Sequence, residues 1–147
     1  MPRNAEEDIL EIQSRKDALI QKLNLLPPGE ERLLFVMQLG RKYPAMDEQL
    51  KTPDRLLPGC ISQLWIETEN TDGTLTFPMD ADAAISKGIA AAVCGFYNGL
   101  CAEAILAVEP DFFEQTGLTS LISPNRSNAL SSLRKYIAAS ARRFAAA

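Results

Sequence analysis

The strongest constraint on this chain is a short stretch with the period of a sheet. In SQLWIET, Ser62, Leu64, Ile66 and Thr68 fall on one side and Gln63, Trp65 and Glu67 on the other, the two-residue period of a strand. NTDG at 70–73 is a hairpin turn signal, and beyond it Leu75, Phe77 and Met79 share a face. Just upstream, RLLPGCI allows a tighter hairpin, with Leu56 and Leu57 in a short first strand. Pro58 and Gly59 suit the centre of a type II turn, whose second residue needs positive φ. Cys60 would then leave the turn at the mouth of the sheet.

Everything on either side of this small sheet reads as helix. Ile9, Ile12, Leu19 and Leu23 mark one helical face across roughly residues 5–24, ended by LLPPGEE. A second helix follows Pro28, with acids in its first turn and Leu33, Val36, Met37 and Gly40 on one side. The polar connection RKYPAMDEQLKTPDR carries two prolines and predicts no regular element between Tyr43 and Arg55. After Met79, Asp80 or Asp82 can cap a helix that buries Ile85, Ile89, Val93 and Phe96 and stops near Asn98–Gly99. A short helix carries Ile105 and Val108, Phe112 and Phe113 add to the core, and Ser127 or Asn128 opens a last helix striped by Leu130, Leu133 and Ile137. Two helices, an antiparallel sheet of two to three strands, then several helices make one α+β domain over residues 1–147.

Composition removes several functions. The charge is −4, from 15 basic and 19 acidic residues spread along the chain, without the basic stripe that nucleic acid requires. IAAAVCGFY, the longest apolar run, is far too short for a membrane span, and MPRNAEEDILEIQ has no signal-peptide core. A cytoplasmic protein is expected. There is no histidine, which rules out Ser-His-Asp and Cys-His catalysis and most zinc hydrolase sites. Three cysteines are an odd number, and free thiols in a reducing compartment follow.

Among those thiols Cys60 is either a passive filler or a group presented for chemistry. A nucleophilic cysteine must be partly thiolate, which takes a nearby cation or oriented N–H dipoles; Lys87 and Arg126 are candidate cations. Cys94, between Val93 and Phe96 in an alanine-rich helix, reads as core. Cys101 stands where a helix cap would, a stand-in for serine or threonine. Asp80 and Asp82, two apart at a helix start, are accounted for by the helix dipole. With no CxxC, no metal site is expected.

Three blocks together resemble the SufE family of sulfur-acceptor proteins: QLGRKYPAMDEQLKTPDRLLPGCISQLWIE, MDADAAISKGIAAAV and SPNRSNALSSL, in order across about residues 30–137. The family's glycine-cysteine-x-serine-x-valine-tryptophan pattern reads here Gly59, Cys60, Ile61, Ser62, Gln63, Leu64, Trp65. The Lys87–Gly88 pair and Arg126 to Asn128 match separately. Ile61 replaces a frequent glutamine, Leu64 a valine and Ala129 a frequent glycine, and the first ~25 residues match no motif. The resemblance implies an α+β fold shared with iron–sulfur scaffold proteins of the IscU kind. It implies that Cys60 takes sulfane sulfur from a cysteine desulfurase and passes it to an assembly scaffold, stimulating the desulfurase. It places Asp80 and Arg126 at the desulfurase-docking surface. Pyridoxal phosphate belongs to the partner, this chain binds no cofactor of its own, and it acts as a monomer or weak homodimer, a carrier more than a stand-alone enzyme. The alternatives are a cluster scaffold of the same fold, against which the missing histidine speaks, and an interaction domain whose cysteine is incidental.

Overall fold

A computed structural model describes residues 4–58, 63–122 and 124–145, the side chains of 124–127 excepted. The first helix, α1 (Ala5–Asn24), starts where the Asn4 side chain accepts the Glu6 N–H at 2.9 Å, and three acids fill its first turn. Both features satisfy or complement the open N–H groups of a helix start. Ile12 and Leu23 are its fully buried residues, each contributing about 1.5–3 kcal/mol relative to exposure. α2 (Glu30–Lys42) follows, with acids first and Arg41 and Lys42 last.

Among the described residues, the connection after α2 contains only two single turns of 3-10 helix, Glu48–Leu50 and Pro53–Arg55. The strands come next: β1 (Leu64–Ile66), β2 (Glu69–Thr71), β3 (Thr74–Thr76) and β4 (Met79–Ala81). The two long strands expected here are one hairpin interrupted midway, because β1 pairs with β4 and β2 with β3. Pro78 lies at the break and lacks an N–H to continue the ladder. Its carbonyl still accepts the Glu67 N–H at 3.0 Å, which carries one register through both halves. Opposite the break, the Thr68 hydroxyl is 2.9 Å from Ser140 Oγ and 3.1 Å from Tyr136 Oη, tying the hairpin to the last helix.

The central helix, α3 (Ala84–Tyr97), begins after Ala83 with no side-chain cap. Asp80 and Asp82 therefore do not cap it. β4 runs through Ala81, its register with β1 sets Asp80 opposite Trp65, and Asp82 continues that pairing. α3 meets α2 at a glycine crossing: a Cβ on Gly40 would come within 2.7 Å of Gly88 N, and one on Gly88 within 2.6 Å of Val36 O. Only two hydrogens in place of side chains permit so close a backbone contact.

α3 stops at Asn98 and Gly99, the latter at φ +80°. The chain then adds β5 (Leu100–Cys101) to β3, so the second sheet has three strands in the order β2, β3, β5. α4 (Ala102–Ala107) and α5 (Phe112–Gln115) follow, and after a 3-10 turn at Leu118–Leu121 comes α6 (Pro124–Ala145). α6 opens at Pro124, earlier than Ser127 or Asn128, since proline is well suited to the first helical position. One apolar cluster runs from Ile12 to Ala141 through every helix α1 to α6 and every strand except β2, which is exposed. Among the described residues no helix is long and apolar enough to cross a membrane.

Candidate functional site

Cys60, with Gly59, Ile61 and Ser62, lies outside the described residues. So does the Gly59 position of the expected type II turn. The structure does describe both legs of the chain that carries this cysteine. Leu56 bridges antiparallel to Trp65, and the Leu57 N–H donates to the Leu64 carbonyl at 2.8 Å. The residues on either side of 58–63 thus pair antiparallel, with a single bridge in place of the short first strand expected at Leu56 and Leu57.

On the exit side Asp82 makes the principal tie. Its Oδ1 accepts the Gln63 N–H at 2.9 Å, and its own N–H donates to the Gln63 carbonyl at 3.1 Å. Two residues later α3 begins. On the entry side, side chains add to the main-chain pairing of Leu56 and Leu57. Arg55 Nε is 2.7 Å from Glu67 Oε2, and Lys51 lies over the Trp65 ring, 5.2 Å from its centroid. All three residues of β1 are buried, because Leu64 and Ile66 join the core while Lys51 helps cover Trp65 on the other face. Beneath Leu64 a small apolar cleft runs between Ser86 and Ile89 of α3 and Ala129, Leu130 and Leu133 of α6.

Asp80, expected at a docking surface, points inward. Its side chain is 7% exposed and is held by the Met46 and Ala81 N–H groups and by Lys51 and Lys87. Lys87, a candidate cation for the thiol, is 3.2 Å from that carboxylate. Arg126 falls in the first turn of α6, and its side chain is among those not described. Lys51 and the tie made by Asp82 are what sequence reasoning missed. Asp82 was legible only as a helix cap, and no local pattern links Lys51 to β4.

The other two thiols are enclosed. Cys94 is fully buried, and burial pushes its pKa up to about 12 despite a hydrogen bond with Tyr43. Tyr43 itself belongs to a closed ring: its hydroxyl donates to Phe77 O at 2.6 Å, the Phe77 N–H donates to Asn98 Oδ1 at 2.9 Å, and Asn98 Nδ2 donates to Tyr43 Oη at 2.9 Å. Cys101 does precede α4 as its cap residue, but its side chain makes no capping bond. It is 6% exposed, and its N–H donates to Asp8 Oδ2 at 2.9 Å. Burial, then the adjoining Asp8, raises its pKa. Neither of these cysteines is in a disulfide.

Three comparisons fit this arrangement. The family model described as SufE, Fe-S metabolism associated domain, matches residues 17–141. An uncharacterised SufE-like protein of Rhizobium etli is 34% identical over 136 residues, 89% of this chain and 92% of the relative. The solution structure of a hypothetical protein from Thermus thermophilus superposes with a TM-score of 0.74 at 18% identity, over 90% of this chain and 97% of that one, and shows the same fold. The chain belongs to the SufE family and has a role in iron–sulfur metabolism.

Proposed function

We propose that this protein carries sulfur for iron–sulfur cluster assembly as a persulfide on Cys60. The Cys60 thiolate attacks the outer sulfur of a persulfide on a cysteine desulfurase. The S–S bond of that persulfide breaks, the desulfurase cysteine departs as thiolate, and Cys60 retains the outer sulfur. The exchange has the form of thiol–disulfide exchange and needs no external oxidant or reductant. Clearing the persulfide frees the desulfurase for another turnover, which is how this chain stimulates it. Breaking the C–S bond of cysteine remains the task of the partner's pyridoxal phosphate. The sulfur then passes to an assembly scaffold. Such traffic suits the reducing cytoplasm, where thiols persist.

The observation that supports this reading best is that the other two thiols are enclosed: Cys94 and Cys101 are buried, with their pKa values raised. Incubation with a cysteine desulfurase and cysteine, followed by peptide mass spectrometry, tests it. One extra sulfur atom is expected on Cys60, and Cys60→Ser should abolish both the label and the stimulation. Sulfur on Cys94 or Cys101 with Cys60 unlabelled would refute the assignment.

A further inference from the structure

The Asp80 carboxylate gathers more of the chain than a strand residue needs. Its Oδ2 accepts the Met46 N–H at 3.0 Å and lies 3.4 Å from Lys51 Nζ. Its Oδ1 accepts the Ala81 N–H at 2.8 Å and lies 3.2 Å from Lys87 Nζ. A buried carboxylate is costly unless it is paired and hydrogen-bonded. Here both oxygens are used, and two ammonium groups attend one anion. Lys51 is also shared with Glu48 at 2.7 Å.

These contacts are distributed unevenly around the cysteine loop. The exit leg, Gln63 into β1, is held by main-chain bonds to Asp82 and β4. The entry leg meets the sheet by main chain only at its end, through the Leu56–Trp65 bridge and the Leu57 N–H on Leu64 O. Tyr43 fixes its beginning through Phe77 O, and Arg55 fixes its end through Glu67. Between them, the hydrogen bonds and ion pairs that reach the sheet run to Asp80, from Met46 and from Lys51.

We propose that Asp80 is a positioning residue for the cysteine loop, its carboxylate fixing the entry leg from inside the fold without touching a partner protein. This rests on the reading of Cys60 as sulfur acceptor and deepens it. Loss of the carboxylate leaves Lys51 to Glu48 on the surface and releases the Met46 N–H, while the pairing of β1 with β4 survives. The entry leg is then held only at its end, by Arg55 and by the pairing of Leu56 and Leu57 with β1.

The test uses the full chain and two readouts. The first is the rate at which iodoacetamide alkylates Cys60 in the protein alone, followed by peptide mass spectrometry. The second is a titration of desulfurase stimulation that separates its maximum from the half-saturating concentration. Asp80→Asn and Lys51→Met should speed alkylation by about three- to tenfold, as expected when a local tie opens. Lys51→Arg should keep the wild-type rate. Buried Cys94 and Cys101 should stay unlabelled throughout, which reports an intact fold. Maximal stimulation should fall by a similar factor at an unchanged half-saturating concentration. Unchanged alkylation with a raised half-saturating concentration would overturn the proposal in favour of a docking contact. Should Asp80→Asn also expose Cys94, the partly exposed Lys51 decides the matter through its Met and Arg variants. If the wild type gave no stimulation while alkylation responded as described, the sulfur-acceptor reading would fail and the positioning role would stand.

Discussion

The two ends of the hairpin are closed by different means. At the far end Asp72 and Gly73 both take positive φ, 53° and 91°, and the flanking residues pair in regular register from Thr71 with Thr74 to Glu69 with Thr76. That geometry matches the twist of adjacent strands, and two side-chain bonds stay within the turn: Asn70 Oδ1 accepts the Gly73 N–H at 3.0 Å and Thr74 Oγ1 donates to Thr71 O at 2.8 Å. Gly99 adds a further main-chain bond, donating to Leu75 O at 2.8 Å. At the cysteine end the main chain contributes the β1–β4 ladder, the Leu57–Leu64 bond and the Gln63–Asp82 pairing, and to these are added the side chains of Lys51, Arg55, Asp80 and Asp82. An end held by backbone is fixed by the fold. An end held partly by side chains can be loosened while the fold persists, which suits the sulfur-carrying role proposed for its loop.

Acid should separate the two ends, and this is the largest effect expected. Asp80 is subject to burial, which raises its pKa, but the Met46 and Ala81 N–H groups and Lys87 outweigh it and hold the carboxyl below its ordinary value. A depressed carboxylate contributes stability in full above its unfolded pKa of about 3.9 and loses it as pH falls through the folded value. Asp80→Asn should therefore cost about 2 kcal/mol at pH 7, the scale of a buried ion pair whose lysines can still reach water. Denaturant titrations of wild type and variant should converge well below pH 4. A gap that persists undiminished in acid would show that the carboxylate's charge is not what holds this end.

The far end answers to backbone chemistry instead. At Gly73 an added Cβ meets nothing within 4 Å, so the cost of Gly73→Ala is conformational alone. An L-residue in left-handed backbone costs about 1–2 kcal/mol, and the lower figure applies at an open turn. Thermal unfolding should report that loss, while Cys60 alkylation stays at the wild-type rate. A faster Cys60 reaction in this variant would mean that strain passes down the hairpin, and the two ends would have to be treated as one unit.

What could be read from sequence divides along the same line. NTDG named the far turn because Asp and Gly tolerate the positive φ that such a turn demands. The helices and their buried faces were equally legible, since periodicity is a local signal. The break at Pro78 was within reach, as proline cannot donate to a ladder, but alternation from Leu75 to Met79 concealed it. Asp80 and Asp82 were misassigned because an acid before a helix is a strong local cap signal, and a strand register set by β1 overrode it. The join of Lys51 to Asp80 is purely tertiary. The same holds for α1: without any recognisable motif, its Arg15 reaches the carbonyls of Gly95, Phe96 and Asn98 at 3.3, 3.2 and 2.9 Å and so satisfies the end of α3. Cys60 itself became legible through resemblance, since spacing alone left it undecided between filler and nucleophile.

Asp82→Ala should have the smallest effect on stability and probe the comparison most finely. Asp82 is exposed, so losing its bond to the Gln63 N–H lets water take its place, and the main-chain half of the pairing remains available to alanine. A hydrogen bond replaced in this way is worth about 0.5–1 kcal/mol, a shift in melting temperature of about 1–3 °C for a chain of this size. The local effect should be larger than the global one. Amide exchange at Gln63, whose N–H has lost its acceptor, should quicken by about tenfold, while Thr74 and Leu75 at the far end keep their wild-type protection. Because opening at one end of a regular ladder would spread to the other, unequal exchange requires the interruption at Pro78 to act as a divide. If Thr74 and Leu75 quickened in step with Gln63, the hairpin would open as a whole, and the difference between an end closed by backbone and one closed partly by side chains would lose its physical meaning.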